Sequence, residues 1–71
     1  MNKGEIDTET ERLKHFETIC IIALNEFSEN HPERILDSEK EKILLLISRM
    51  FNAEFDFLTQ NPNDYFQIYG H

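Results

Sequence analysis

The sequence is poor in the residues that hold small proteins together through disulfides or metals. It has one cysteine, Cys20, in 71 residues, which excludes an intrachain disulfide and the usual cysteine-rich zinc sites. Cys20 lies inside an apolar run, where a cysteine usually behaves as a small buried hydrophobe. A domain this short buries only a modest share of its surface, so we expect good helix packing or self-association to stabilise it.

Glycine is also scarce, and this restricts the ligand sites that the chain can form. The two glycines are Gly4 and Gly70, so there is no glycine-rich loop of the kind that binds phosphate groups. The three histidines, His15, His31 and His71, have no partner at a spacing typical of catalysis or of a di-iron bundle. We therefore expect a protein that is not an enzyme and that uses no cofactor, no metal and no small-molecule substrate.

Positive charge is in deficit, which argues against several classes of partner. Seven basic residues face 14 acidic ones, for a net charge of -7. Surfaces that bind nucleic acids or anionic membranes are normally basic, so we expect no direct nucleic-acid binding and no membrane binding. The opening segment has no apolar region typical of a secretory signal, and the longest apolar run, 19–24, is far shorter than the ~20 residues of a membrane span. A cytoplasmic location follows as the expectation.

The two prolines divide the chain into helical segments. Proline disfavours the helical conformation in the residue before it, so Pro32 and Pro62 mark breaks. The spacing of the apolar residues predicts one helix over 8–29 and a second over 38–60. The short connection between them is expected to bring the second helix back antiparallel to the first.

The ends of these segments carry capping signals. Thr8 followed by Glu11 has the spacing of a capping box, so residues 1–7 are predicted to form a flexible leader. Ser38 begins a second box of the same kind. After the second proline, residues 62–69 are predicted to form a short third helix, with a docked extended tail as the alternative.

Each long helix has more apolar residues than one stripe can hold. On a helical wheel, the stripe of the first helix consists of Leu13, Phe16, Cys20, Ala23, Leu24 and Phe27. The stripe of the second helix consists of Ile43, Leu46, Ile47, Met50, Phe57 and Leu58. The residues left outside these stripes are Ile21, Ile22, Leu44, Leu45 and Phe55.

This surplus predicts an interface, because exposed apolar surface on a soluble protein usually marks one. We expect a second copy of the chain, or another protein, to cover the five surplus residues. The simplest solution is a homodimer that forms a four-helix bundle. The alternative is a monomeric three-helix bundle in which the short third helix suffices.

One acidic residue, Glu54, falls near the centre of the second stripe. A buried carboxylate without a partner would be costly. We expect Glu54 either to pair with Arg12 or His15 at the end of the hairpin away from the turn, or to face water at a kink near Asn52.

Acidic residues also gather around the predicted turn. They are Glu26, Glu29, Glu33, Asp37, Glu39 and Glu41. Such a cluster could meet a basic protein surface. The alternative is that it is simply the solvated end of a helical hairpin.

Together these features predict a single all-α domain, an antiparallel helical hairpin with a short C-terminal helix. The predicted function is non-catalytic: a regulator, adaptor or inhibitor that acts through helical surfaces on itself, as a homodimer, or on another protein. The alternative is an acidic mimic of nucleic acid, or an immunity or anti-restriction type of inhibitor, that blocks a basic surface of a nucleic-acid-binding protein.

Overall fold

A computed structural model of the chain describes residues 3–70. Three helices follow one another: α1 (Lys3–Asn30), α2 (Asp37–Gln60) and α3 (Pro62–Tyr69). The two long helices pack against each other as a hairpin, and the described part of the chain measures 47 by 16 by 16 Å. The prediction of an all-α protein built on a helical hairpin is confirmed.

The first helix begins earlier than its capping signal predicts. Residues 3–7 are helical, in contrast to the predicted flexible leader, while residues 1 and 2 lie outside the described range. Thr8 is not a cap, because its hydroxyl donates a hydrogen bond to the carbonyl oxygen of Gly4 at 2.8 Å. Threonine is often accommodated in this way inside a helix. A single glycine costs a helix only about 1 kcal/mol, which is too little to stop α1 at Gly4.

The second helix begins one residue before the predicted position, at Asp37. The backbone N–H of Leu36 donates to a carboxylate oxygen of Glu39 at 3.0 Å, and the N–H of Lys40 donates to the carbonyl oxygen of Leu36 at 2.9 Å. Leu36 is therefore the N-cap residue, and Ser38 lies inside the first turn. The acidic residue that completes the cap is Glu39, whose negative charge also suits the positive end of the helix dipole.

The last eight described helical residues form α3 rather than an extended tail. Asn61 links the two helices: its N–H donates to the carbonyl oxygen of Phe57 at 2.8 Å, and its own carbonyl oxygen accepts from the N–H of Tyr65 at 3.0 Å. Pro62 occupies the first turn of α3. Proline has no backbone N–H, and in the first turn of a helix an N–H would have no hydrogen-bond partner within the helix. The chain therefore turns sharply at Asn61, and α3 folds back onto the hairpin.

The buried core is small and lies where the three helices meet. Leu58 is completely buried, Tyr65 is 3% exposed and Leu13 is 9% exposed, so each helix supplies one core residue. The ring of Phe57 meets that of Tyr65 edge to face, with the centroids 5.8 Å apart. The side chains packed around this centre are Ile6, Phe51, Phe55, Phe57 and Phe66. We call this end of the hairpin, opposite the turn between α1 and α2, the open end.

The two tyrosines of the chain both lie on α3, so their ionisation reports on its docking. Burial raises the pKa of the Tyr65 phenol, and the carboxylates of Glu9 and Glu54 raise it further. A phenol whose pKa is higher in the folded chain than in the unfolded chain adds to the free energy of unfolding. This contribution is fully present below the unfolded pKa of about 10, and it is lost as the pH rises through the pKa of the folded chain. We therefore expect α3 to detach from the hairpin in alkali, above pH ~10.

Phenolate absorbance, titrated in the native chain and in the urea-unfolded chain, checks this prediction. Ionisation should occur at higher pH in the native chain, and Tyr65→Phe should reduce the difference to the part that Tyr69 contributes. Identical curves for the native and unfolded chains would contradict it.

Candidate protein interaction site

Large apolar side chains remain exposed along the middle of both long helices. Five of them share one face of the hairpin, Phe16, Ile19 and Phe27 on α1 and Leu46 and Met50 on α2, with exposures from 43% to 64%. Smaller exposed residues lie between them at helical spacing: Cys20 and Ala23 on α1, and Ala53 on α2. These residues repeat every three or four positions, so on each helix they form one continuous strip.

The two strips lie on the face of the hairpin that also carries α3. On α1, Phe16 follows Arg12 by four residues, and Arg12 shares a cavity of about 680 Å³ with Phe66 of α3. On α2, Met50 precedes Phe57 by seven residues, and the ring of Phe57 contacts Tyr65 of α3. Residues three, four or seven positions apart share a helix face, so both strips continue from residues beside α3.

The third helix covers only one end of this face. It has eight residues and is ~12 Å long, whereas α1 has 28 residues and α2 has 24. Beyond α3 the strips are uncovered, and α2 carries there a cavity of about 210 Å³ lined by Met50, Phe51 and Glu54. We call the uncovered part the apolar groove. Its residues are Phe16, Ile19, Cys20, Ala23 and Phe27 of α1 and Leu46, Met50 and Ala53 of α2.

The contact between the long helices uses only part of the predicted stripes. Of the predicted stripes, Phe16, Cys20, Ala23, Phe27, Leu46 and Met50 are exposed. The partly buried positions between the helices are Leu24, Ile43 and Ile47 of the predicted stripes, together with four residues from outside them, Glu17, Ile21, Leu44 and Phe51. Both helices are thus rotated relative to the prediction. The reason is that the prediction placed only apolar residues in the contact, whereas the contact in the structure also includes polar residues such as Glu9 and Glu17.

This rotation changes the surroundings of the five residues predicted to form an interface. Ile21, Leu44 and Phe55 are partly buried, and Phe55 packs against the core. Ile22 and Leu45 are exposed, at 50% and 55%. The prediction that all five residues would lie uncovered is therefore wrong for Ile21, Leu44 and Phe55. Their role in contacting a partner stays a prediction, and most of the exposed apolar surface of the hairpin lies in the apolar groove.

Two carboxylates border the groove where it meets α3. Glu9 is 9% exposed and pairs with the guanidinium of Arg12 at 3.3 Å. Glu54 accepts a hydrogen bond of 3.3 Å from the hydroxyl of Tyr69, and its charge raises the pKa of that hydroxyl. The predicted pairing of Glu54 with Arg12 or His15 is therefore replaced by a bond to α3. α2 runs as one helix through this position, and Glu54 is partly buried there.

The acidic residues around the turn lie on the last turns of α1, the connection and the first turns of α2, and all six are exposed. Glu33 lies 3.7 Å from the Nδ1 of His31, and Glu39 caps α2. The six predicted residues, Glu26, Glu29, Glu33, Asp37, Glu39 and Glu41, are therefore in contact with solvent, and their role in binding a partner stays a prediction.

The described residues show no other constellation of chemical groups. Within residues 3–70, no group of three or more histidine, cysteine or acidic side chains is arranged to hold a metal ion. His15 and His31 are exposed, and His71 lies outside the described range. Of the helices in that range, none is both long enough and apolar enough to span a membrane.

Comparisons with protein-family models, with curated proteins and with solved structures gave no significant match.

Proposed function

We propose that this chain is a non-catalytic interaction protein, a regulator, adaptor or inhibitor, that works through its helical surfaces as a homodimer. The observation that carries the proposal is the apolar groove. Five large apolar side chains lie there about half exposed, on the one face of the hairpin that the chain's own third helix covers only in part. An apolar surface of this kind on a soluble protein usually marks a binding site.

The size of the groove suits a small protein interface. A large apolar side chain that is half exposed leaves on the order of 100 Å² in contact with water. The groove therefore offers roughly 500 Å² per copy, and two copies would bury ~1,000 Å², which is the lower limit for a specific interface. Surrounding polar residues would add to this area.

The small core gives a second reason for self-association. Three residues form the buried centre, and they lie at the open end of a molecule 47 Å long. The half of the hairpin near the turn is held together mainly by partly buried side chains. Small domains with limited cores are commonly stabilised by oligomerisation, because binding of a partner to the folded state adds to its stability.

The proposal predicts the mass of the protein in solution. Light scattering after size exclusion, across a dilution series, should give twice the chain mass of 8.5 kDa at high concentration and a shift towards one chain on dilution. A mass of one chain at every concentration, with the helix content intact, would contradict self-association.

A second candidate function rests on the acidic surface around the turn. Its six carboxylates are all exposed, and the chain carries a net charge of -7. Such a surface would suit a nucleic-acid mimic, or an immunity or anti-restriction type of inhibitor, that blocks a basic nucleic-acid-binding protein. Salt separates the two functions, because contacts between exposed charges weaken steeply as ionic strength rises, whereas apolar contacts in the groove do not. Binding that survives high salt would contradict the second candidate.

A further inference from the structure

We propose that the occupant of the apolar groove is the groove of a second copy, packed antiparallel, so that the two turns lie at opposite ends of a four-helix bundle. This inference rests on the proposed homodimer and adds its geometry. Cys20 and Met50 would lie close to the two-fold axis, with α1 packed on α1 and α2 packed on α2.

The position of α3 decides the orientation. It occupies the same face as the groove, at the open end, and a packed helix fills a layer 8–10 Å thick. If two copies packed in parallel, both third helices would occupy the same layer at the same end and would overlap. In the antiparallel arrangement the two third helices lie at opposite ends of the dimer, each next to the turn of the other copy, so that they do not meet.

The distribution of charge favours the same orientation. The six exposed carboxylates around the turn would lie next to six more in a parallel dimer, and like charges repel. An antiparallel dimer separates the two clusters. It also brings Glu26 of one copy to the end of the groove where Arg12 of the other copy lies, so that opposite charges share a rim.

The sizes of the groove residues fit this arrangement. On α1 the large rings of Phe16 and Phe27 mark the two ends of the strip, and the small side chains of Cys20 and Ala23 lie at its middle. When two such strips cross at their midpoints in opposite directions, the small residues allow the helices to approach closely. Phe16 of each copy then lies against Phe27 of the other, as a two-fold interface requires.

Distances between spin labels test the orientation. Glu11 and Glu29 are exposed on the outer side of α1, and each is replaced by cysteine in a Cys20→Ala background. In the antiparallel dimer two Glu29→Cys labels, or two Glu11→Cys labels, are separated by ~20 Å or more along the axis, because the helix rises 1.5 Å per residue. A mixture of the two labelled chains should give an additional short distance, since position 11 of one copy lies near position 29 of the other.

The outcomes separate the geometry from the dimer itself. Short distances for the like pairs and none for the mixed pair, in samples that light scattering shows to be dimers, would overturn the antiparallel arrangement and leave the proposed function standing. A monomeric mass for the unmodified chain would overturn both.

Cross-linking of the unmodified chain keeps the inference testable if the labelled variants fail to associate. Lys14 lies towards the open end of α1, and Lys42 lies near the turn on α2, so they are far apart within one chain. Mixed isotope-labelled and unlabelled chains, treated with an amine-reactive reagent long enough to span the bundle, should give interchain links between Lys14 and Lys42. Links between Lys42 and Lys42 in their place would overturn the arrangement.

Discussion

Replacement of Met50 by glutamate is expected to convert the protein into a monomer without unfolding it. Met50 is 64% exposed in the single chain, so a carboxylate there stays in water and costs the fold little. In the dimer the same carboxylate would be removed from water beside its symmetry copy, with no cation to pair with it. A buried charge without a partner costs ~3–5 kcal/mol, which corresponds to a dimer weakened by at least ~100-fold.

Ser48→Glu is the matched control for this substitution. It introduces the same charge on the same helix at an exposed position two residues away, and such residues point to different sides of a helix. Sedimentation equilibrium should show Met50→Glu as a single chain and Ser48→Glu as a dimer like the unmodified protein. Equal dimer dissociation constants for the two variants would exclude the groove as the interface.

Truncation of Leu58 is expected to cause the largest loss of stability of any single apolar side chain in the described structure. Leu58 is completely buried and packs at the centre of the three-helix contact. Leucine to alanine at such a site removes buried apolar surface and leaves a cavity, at a cost of ~2–5 kcal/mol. A domain of this length has a total stability of only ~4–10 kcal/mol. Leu58→Ala is therefore expected to be partly or fully unfolded at room temperature.

Leu45→Ala provides the same chemical change at an exposed position of the same helix. Its free energy of unfolding should lie within about 0.5 kcal/mol of the unmodified chain. Urea unfolding followed by circular dichroism, at one fixed protein concentration because association adds to stability, compares the two variants. A loss at Leu45 that matches the loss at Leu58 would contradict the placement of the core, and weaker self-association of Leu45→Ala would support the interface predicted from the sequence.

The arrangement of helices could be predicted from the sequence because strong local signals determine it. The two prolines interrupt the helical pattern, and the apolar spacing on either side of Pro32 is long enough to require two helices. Proline also favours the first turn of a helix, which is why the short third helix could be predicted from Pro62. The start of α1 could not, because Thr8 offers the same capping signal whether or not the chain continues as a helix before it.

The side of each helix that faces the other could not be predicted, because it depends on contacts remote in sequence. The strip from Phe16 to Phe27 is visible on a helical wheel. The local sequence does not show, however, whether such a strip faces the neighbouring helix or lies to one side of the contact. The packing of Tyr65 from α3 against Leu13 and Leu58 favours the observed rotation. A three-residue core at one end of a long hairpin therefore leaves the most apolar strip of α1 exposed, and this surface is the candidate interaction site.

The most direct test of the central claim, that the apolar groove is a self-association surface, is an isotope-filtered nuclear Overhauser experiment. Labelled and unlabelled chains are mixed, so that only contacts between copies are detected. The account predicts intermolecular contacts to the methyl group of Met50 and between the rings of Phe16 and Phe27. A dimer whose intermolecular contacts arise from Ile22 and Leu45, with none from Met50, would contradict it.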